Sequence, residues 1–128
     1  MKIEREIFER VVAQARRDLP FESCGYLLGN GDTVTEDYPM TNVDHSSEHF
    51  SFDPKEQFAA VKHARNNNLK VLANWHSHPA SPSRPSAEDL RLANDPNIRY
   101  AILSLHEGVH LNSFSIKEGK IVDKETHL

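Results

Sequence analysis

Cysteine occurs once in this chain of 128 residues, at Cys24. A lone thiol excludes an intrachain disulfide and any zinc site built from cysteines. Long apolar runs are missing too, with nothing near the ~20 residues that a membrane-spanning helix requires. The opening Met1-Lys2-Ile3-Glu4-Arg5-Glu6 lacks the apolar stretch of a secretory signal. Basic residues are not in excess: 15 Lys and Arg stand against 19 Asp and Glu, for a net charge of −4. That balance argues against a protein that tracks nucleic-acid phosphates or adheres to anionic lipid. No repeat, low-complexity tract or charge block divides the sequence. The expectation is a single cytoplasmic domain over residues 1–128, without nucleic-acid or membrane partners. Oligomeric state leaves no sign in the sequence.

What is present suffices for one core. Hydrophobic residues make up 38% of the chain, and a domain of this length buries roughly two-thirds of its unfolded surface. Ile3, Ile7, Phe8, Val11, Val12, Ala15 and Leu19 fall on a helical stripe that Pro20 stops. Cys24–Leu28 is a short apolar strand, closed by the hairpin-turn chemistry of Gly29-Asn30-Gly31-Asp32, and Thr33–Tyr38 returns. Phe50 and Phe52 alternate in a short strand. Asp53-Pro54 then opens a helix reaching about Asn67, with Phe58, Ala60, Val61 and Ala64 on its buried side. Leu69–Trp75 is a strand that runs into His76-Ser77-His78. Ser86 caps a short helix through about Ala93. Tyr100–Leu105 and Val109–Ile116 form a strand pair, and Lys120–Val122 adds an edge. The pattern predicts an α/β domain of α+β type, a mixed sheet flanked by helices.

Eight histidines are many for this length, and two of them cluster. His76 and His78 sit two apart at a strand end, so both rings project from one face. Asp89 follows eleven residues after His78, in the first turn of the helix that Ser86 begins. Folding that turn over the strand end brings two nitrogens and a carboxylate together. Three protein ligands with one open position is the arrangement of catalytic zinc, whereas structural zinc is closed by four. Taken alone, Ser86-Ala87-Glu88-Asp89 reads better as a helix cap with an acid at the third helical position, and only the combination with His76 and His78 points to a metal.

His76-Ser77-His78, seven residues, Ser86, two residues and Asp89 resembles the signature of the JAMM (MPN-plus) metalloproteases. Glu22, heading Glu22-Ser23-Cys24-Gly25-Tyr26-Leu27-Leu28-Gly29, resembles that family's upstream glutamate segment in small prokaryotic members. The resemblance implies an MPN/JAMM-like fold of cytidine-deaminase-like architecture. It implies one Zn2+ per chain on His76, His78 and Asp89, with Glu22 and Ser86 as catalytic residues. Glu22 would take a proton from the attacking water and pass it to the departing amine. Ser86 would help hold the oxyanion. Zinc lowers the pKa of a bound water to about 7, which supplies the nucleophile without a nucleophilic side chain.

Such enzymes hydrolyse the peptide or isopeptide bond after the C-terminal glycine of ubiquitin or a ubiquitin-like protein. The short stretch between His78 and Ser86 leaves little room for a ubiquitin platform, which resembles the compact prokaryotic members. The implied substrate is the C-terminal tail of a ubiquitin-like or sulfur-carrier protein of ThiS or MoaD type, or its amino-acid conjugate. A non-catalytic MPN-type scaffold is the alternative, and the intact ligand set argues against it. A zinc deaminase needs His-x-Glu and Pro-Cys-x-x-Cys, which one cysteine excludes. The Pro79–Pro85 loop, with three prolines and Arg84, reads either as a lining of the substrate approach or as a rigid connector. Cys24 and Trp75 are expected in the core. His45, His49, His63, His110 and His127 are expected at the surface or in structural roles, with His106 kept as a candidate partner to the ligands.

Overall fold

A strand at the middle of the sheet carries both clustered histidines, and the architecture follows from how that strand is covered. The computed structural model describes residues 1–128. The elements, in order, are β1 (Lys2–Ile3), α1 (Arg5–Arg17), β2 (Cys24–Asn30), β3 (Thr33–Met40), α2 (Pro54–Asn66), β4 (Lys70–His78), α3 (Ala87–Leu92), β5 (Arg99–Ser104), β6 (His110–Lys117) and β7 (Lys120–Thr126). They build one seven-stranded sheet ordered β1-β3-β2-β4-β5-β6-β7. β1 with β3 and β4 with β5 run parallel, and the other pairs are antiparallel. The expected mixed sheet flanked by helices is what the chain forms. No helix is long and apolar enough to cross a membrane.

The two-residue period of the strands sorts side chains onto two faces. On one face Ile7, Val11 and Ala15 of α1 pack on Leu27, Ala73, Trp75, Ala101 and Leu103. On the other, Ala60 and Ala64 of α2 meet Cys24, Tyr26, Leu28 and Met40. Further along that second face, Ile102, Phe114 and Ile116 are covered by Leu90 of α3 and by Ala93 just beyond the helix. Trp75 is fully buried, as expected. Its cross-strand neighbour is Gly25, where a Cβ would lie 2.8 Å from the indole Nε1 and 2.5 Å from the Tyr38 carbonyl. Gly25 therefore provides the room that the indole fills.

Several expectations are corrected. α1 ends at Arg17, and Ile3 belongs to β1, paired with Val34. Ile3 packs at the margin of the α1 core, while Leu19 beyond the helix is about half exposed. Phe50 and Phe52 do not form a strand. Only an isolated bridge joins Phe52 to Asn42, and the two rings pack edge-to-face on each other, with Phe52 also edge-to-face on Tyr26. On α2, Phe58 is 74% exposed and Val61 is also outside. The inner face is set instead by the two alanines and by hydrogen-bonded side chains: Gln57 on Tyr26, Glu56 on Thr41 and His63 on Glu36. Small residues let the helix approach the sheet, and these polar anchors fix its rotation. The helix starts as expected, with Asp53 accepting from Lys55 N at 2.9 Å.

Candidate metal centre

His76 and His78 end β4 on the face shared with α2 and α3. Their backbones are held by β2 at Cys24 and by β5 at Ile102 and Ser104. Both rings are buried. Between them Ser77 turns to the opposite side, where its hydroxyl accepts from Ser23 N at 2.7 Å and its amide donates to Ser23 O at 2.9 Å. This reciprocal pair extends the β2–β4 ladder one step towards Glu22.

Asp89 arrives from α3. The Pro79–Pro85 loop before it is tied to the sheet at three points, which supports the connector reading. Ser104 Oγ donates to Ser81 O at 2.6 Å, and Ser83 Oγ donates to Ile102 O at 2.6 Å. Asn112 Nδ2 donates to Ser83 O at 2.9 Å. Ser86 then caps α3 in a full capping box: its hydroxyl accepts from Asp89 N at 3.0 Å, and the Asp89 carboxylate accepts from Ser86 N at 2.9 Å. Asp89 thus belongs both to the capping box and to the group that could hold a metal. Asp89 Oδ2 also lies 3.2 Å from His76 Nε2 and 3.1 Å from His78 Nε2, and those two nitrogens are 3.2 Å apart.

This triangle fits a tetrahedral cation. With metal–nitrogen distances near 2.05 Å, adjacent ligands in a tetrahedron stand about 3.3 Å apart. The donor types, two imidazoles and one carboxylate, suit zinc. His78 Nδ1 is 2.9 Å from the Pro82 carbonyl, so that nitrogen carries the proton and Nε2 presents its lone pair. Phe50 stacks on His76 with ring centres 4.7 Å apart. No fourth His, Cys or carboxylate joins the group.

Burial and the hydrogen bonds of the cluster shift its titrating groups in different directions. Burial holds His76 below its usual pKa, outweighing the Asp89 hydrogen bond. Burial also opposes protonation of His78, but Asp89 and the Pro82 carbonyl overcome it and raise that pKa. Asp89 is pulled well below the carboxylate range, because its bonds to both histidines outweigh burial. Glu22 is buried, and burial pushes its pKa up to about 8 against the pull of His78. Its Oε1 has no hydrogen-bond partner in the protein. Glu22, His78 and Ser86 line one cleft together with Glu48, Leu19 and Pro79. On the far side, His76 and Asp89 border an apolar cleft of about 160 Å³ walled by Phe50, Phe52, Leu92, Tyr100, Ile102 and Ile116.

Of the five residues singled out in the sequence, His76, His78 and Asp89 meet around one point, and Glu22 and Ser86 share a cleft with His78. His106 does not: its ring faces Glu107. Cys24 is buried and its thiol pKa is pushed up to about 12, chiefly by burial, which makes it an inert core residue. His127 bonds Ser113, and His49 bonds Asp44, both away from the centre. Phe50 and Asn42 have no spacing signal in the sequence and were not anticipated at the site. Only the placement of their loop over β4 reveals them.

Residues 4–117 match the family model of prokaryotic homologues of the JAB domain. The chain belongs to that family. A CysO-cysteine peptidase of Mycobacterium tuberculosis is 29% identical over 98% of this chain and 89% of its own. A probable TtuB-protein conjugate cleaving protease of Thermus thermophilus is 31% identical over 94% of this chain and 78% of its own. A solution structure from Desulfitobacterium hafniense is 47% identical, with a TM-score of 0.86 over 97% of this chain and 88% of that one. With these relatives, this prokaryotic JAMM/MPN member is a hydrolase of peptide or isopeptide bonds.

Proposed function

We propose that the chain is a zinc-dependent peptidase that hydrolyses the amide bond after the C-terminal glycine of a ubiquitin-like or sulfur-carrier protein. His76, His78 and Asp89 would hold one zinc. The observation that carries this reading is the ligand triangle beside a buried glutamate with an unpartnered oxygen. A hydrogen-bonding atom left alone in a protein interior is costly, and a water between Glu22 and the ligands relieves that cost.

When bound, zinc supplies a water acidic enough to attack at neutral pH. Glu22 would accept a proton from the attacking water and pass it to the departing amine. Burial suits it to this exchange, since a carboxylate with a raised pKa is a stronger base. The Ser86 oxygen already accepts from Asp89 N, so its own proton is directed elsewhere and is available to the carbonyl oxygen as charge develops. Asp89 neutralises the cation in part, and the capping box keeps its carboxylate from swinging away. Clefts open on either side, one bordered by His76 and Asp89 and the other by Glu22, His78 and Ser86. An extended tail crossing the centre meets both.

The relatives' names support the substrate class, since one is a peptidase for a carrier–cysteine adduct and another cleaves carrier–protein conjugates. The test is direct. Zinc-loaded chain is incubated with ThiS- or MoaD-type carriers extended by one residue beyond Gly-Gly, and the mass of the carrier is followed. Loss of the added residue, abolished by a chelator and restored by zinc, is expected. A chain that takes up no zinc and cuts no carrier would be a scaffold instead.

A further inference from the structure

We propose that Asn42 is a positioning residue for Glu22, an inference that rests on the proton-transfer role proposed above for that glutamate. Glu22 lies outside the sheet, because the β2 ladder begins at Cys24. Both of its backbone groups bind instead to the strap between β3 and α2, residues 41–53. Glu22 N donates to Ser46 O at 2.8 Å, and Glu22 O accepts from Asn42 Nδ2 at 3.1 Å. Asn42 is the hub of that strap. Its Nδ2 also donates to His49 O at 3.0 Å, while its Oδ1 accepts from Asp44 N at 3.0 Å and from Ser51 N at 3.3 Å. The residue is 93% buried, so water does not replace these partners cheaply.

The same strap carries Phe50, whose ring stacks on His76. One carboxamide therefore ties together the backbone that aims the glutamate and the loop that covers a ligand ring. The strap is anchored at its start, where Glu56 of α2 accepts from Thr41 N at 2.8 Å and Thr41 Oγ1 at 3.0 Å. Asn42 is the next residue, at the point where this anchored segment reaches Glu22. Displacing a reacting group by about 1 Å costs on the order of 10²-fold in rate. Loss of the Asn42 donor acts on catalysis through that displacement, without touching His76, His78 or Asp89.

Asn42→Asp is the discriminating variant. It keeps the oxygen that Asp44 and Ser51 use, and sets a second oxygen against the carbonyls of Glu22 and His49. With a carrier extended by one cysteine after Gly-Gly as substrate, kcat should fall about 10- to 100-fold. KM should stay within about threefold, and zinc per chain should be unchanged. Asp44→Ala is the control, since it cuts the outer ties to His49 and Ser51 and leaves the Glu22 bonds. It should retain activity within about twofold. Wild-type kcat in Asn42→Asp, an equal loss in Asp44→Ala, or zinc lost in step with kcat overturns the proposal. Glu22→Gln separates this from the underlying reading: if it cleaves as wild type, the role of Glu22 is wrong and the Asn42 inference falls with it. Should Asn42→Asp not fold, amide exchange of zinc-loaded wild type answers instead. The Glu22 amide should exchange about as slowly as that of Ser23, and exchange 100-fold faster contradicts a strap that holds it.

Discussion

Glu22 combines burial, an unpartnered oxygen and a pKa near 8, and these make it testable without substrate. In the metal-free chain its carboxyl binds protons more tightly folded than unfolded. Folding stability therefore falls as pH rises from about 4.5, the unfolded value, through about 8, and levels off above. Glu22→Gln removes this liability. Metal-free Glu22→Gln should melt above metal-free wild type at pH 8, by an amount on the order of a few kcal/mol, and the gap should close towards pH 4.5. Thermal melts across pH check this, and a gap independent of pH contradicts it. Ser86→Ala should retain zinc, lose about 1 kcal/mol from the missing cap and slow turnover ~10²–10³-fold. His78→Ala and Asp89→Ala should lose zinc together with activity, measured as metal per chain after desalting. At this scale the shared face of His76 and His78 was legible from strand periodicity, because two residues on one strand face need no tertiary information, but the pair pointed to a site only in combination with Ser86 and Asp89. Glu22 was not. Nothing local distinguishes it from the other acids of the chain, and only the resemblance to a family selected it. Phe50 and Asn42 escaped even that, since a loop residue's contacts are set by where the whole loop lies.

At the scale of the element, α3 resolves two readings that the sequence left open. Ser86-Ala87-Glu88-Asp89 is a capping box, and Asp89 is also the third member of the group that could hold a metal. One carboxylate serves both because Ser86 N and the two imidazoles approach the same oxygen. The start of α2 was legible from Asp53-Pro54, but its rotation was not. Helical apolar spacing admitted Phe58 and Val61 as readily as Ala60 and Ala64, and the side that packs was decided by polar anchors on distant strands. This has a measurable consequence. Phe58→Ser should change stability by no more than about 0.5 kcal/mol, as expected of an exposed position. Ala60→Leu should cost about 1–3 kcal/mol by overpacking the close approach of α2 to the sheet. Chemical denaturation of the two variants compares them, and the reverse order would place the wrong face inward.

Over the whole molecule, the sheet does most of the positioning. β4 lies fourth of seven strands, so its end is braced on both sides, and the tied Pro79–Pro85 loop delivers α3 to it within a few residues. The mixed sheet and its flanking helices were legible because strand and helix periods differ so clearly along this chain. The order of strands was not, since pairing partners are chosen by long-range contacts. The short β1 was missed because two residues carry no period at all. Clefts flank the centre on two sides, one along His76 and Asp89 and one along Glu22, His78 and Ser86.

The measurement that bears most directly on the proposed chemistry is the mass of a Gly-Gly-Cys-tailed sulfur carrier. It is followed after incubation with zinc-loaded wild type and, in parallel, with zinc-loaded Glu22→Gln. Expected is loss of cysteine at the glycine bond with wild type only, while both proteins hold about one zinc. An unchanged carrier with zinc-loaded wild type, or equal cleavage by Glu22→Gln, would contradict a zinc peptidase in which Glu22 moves the proton.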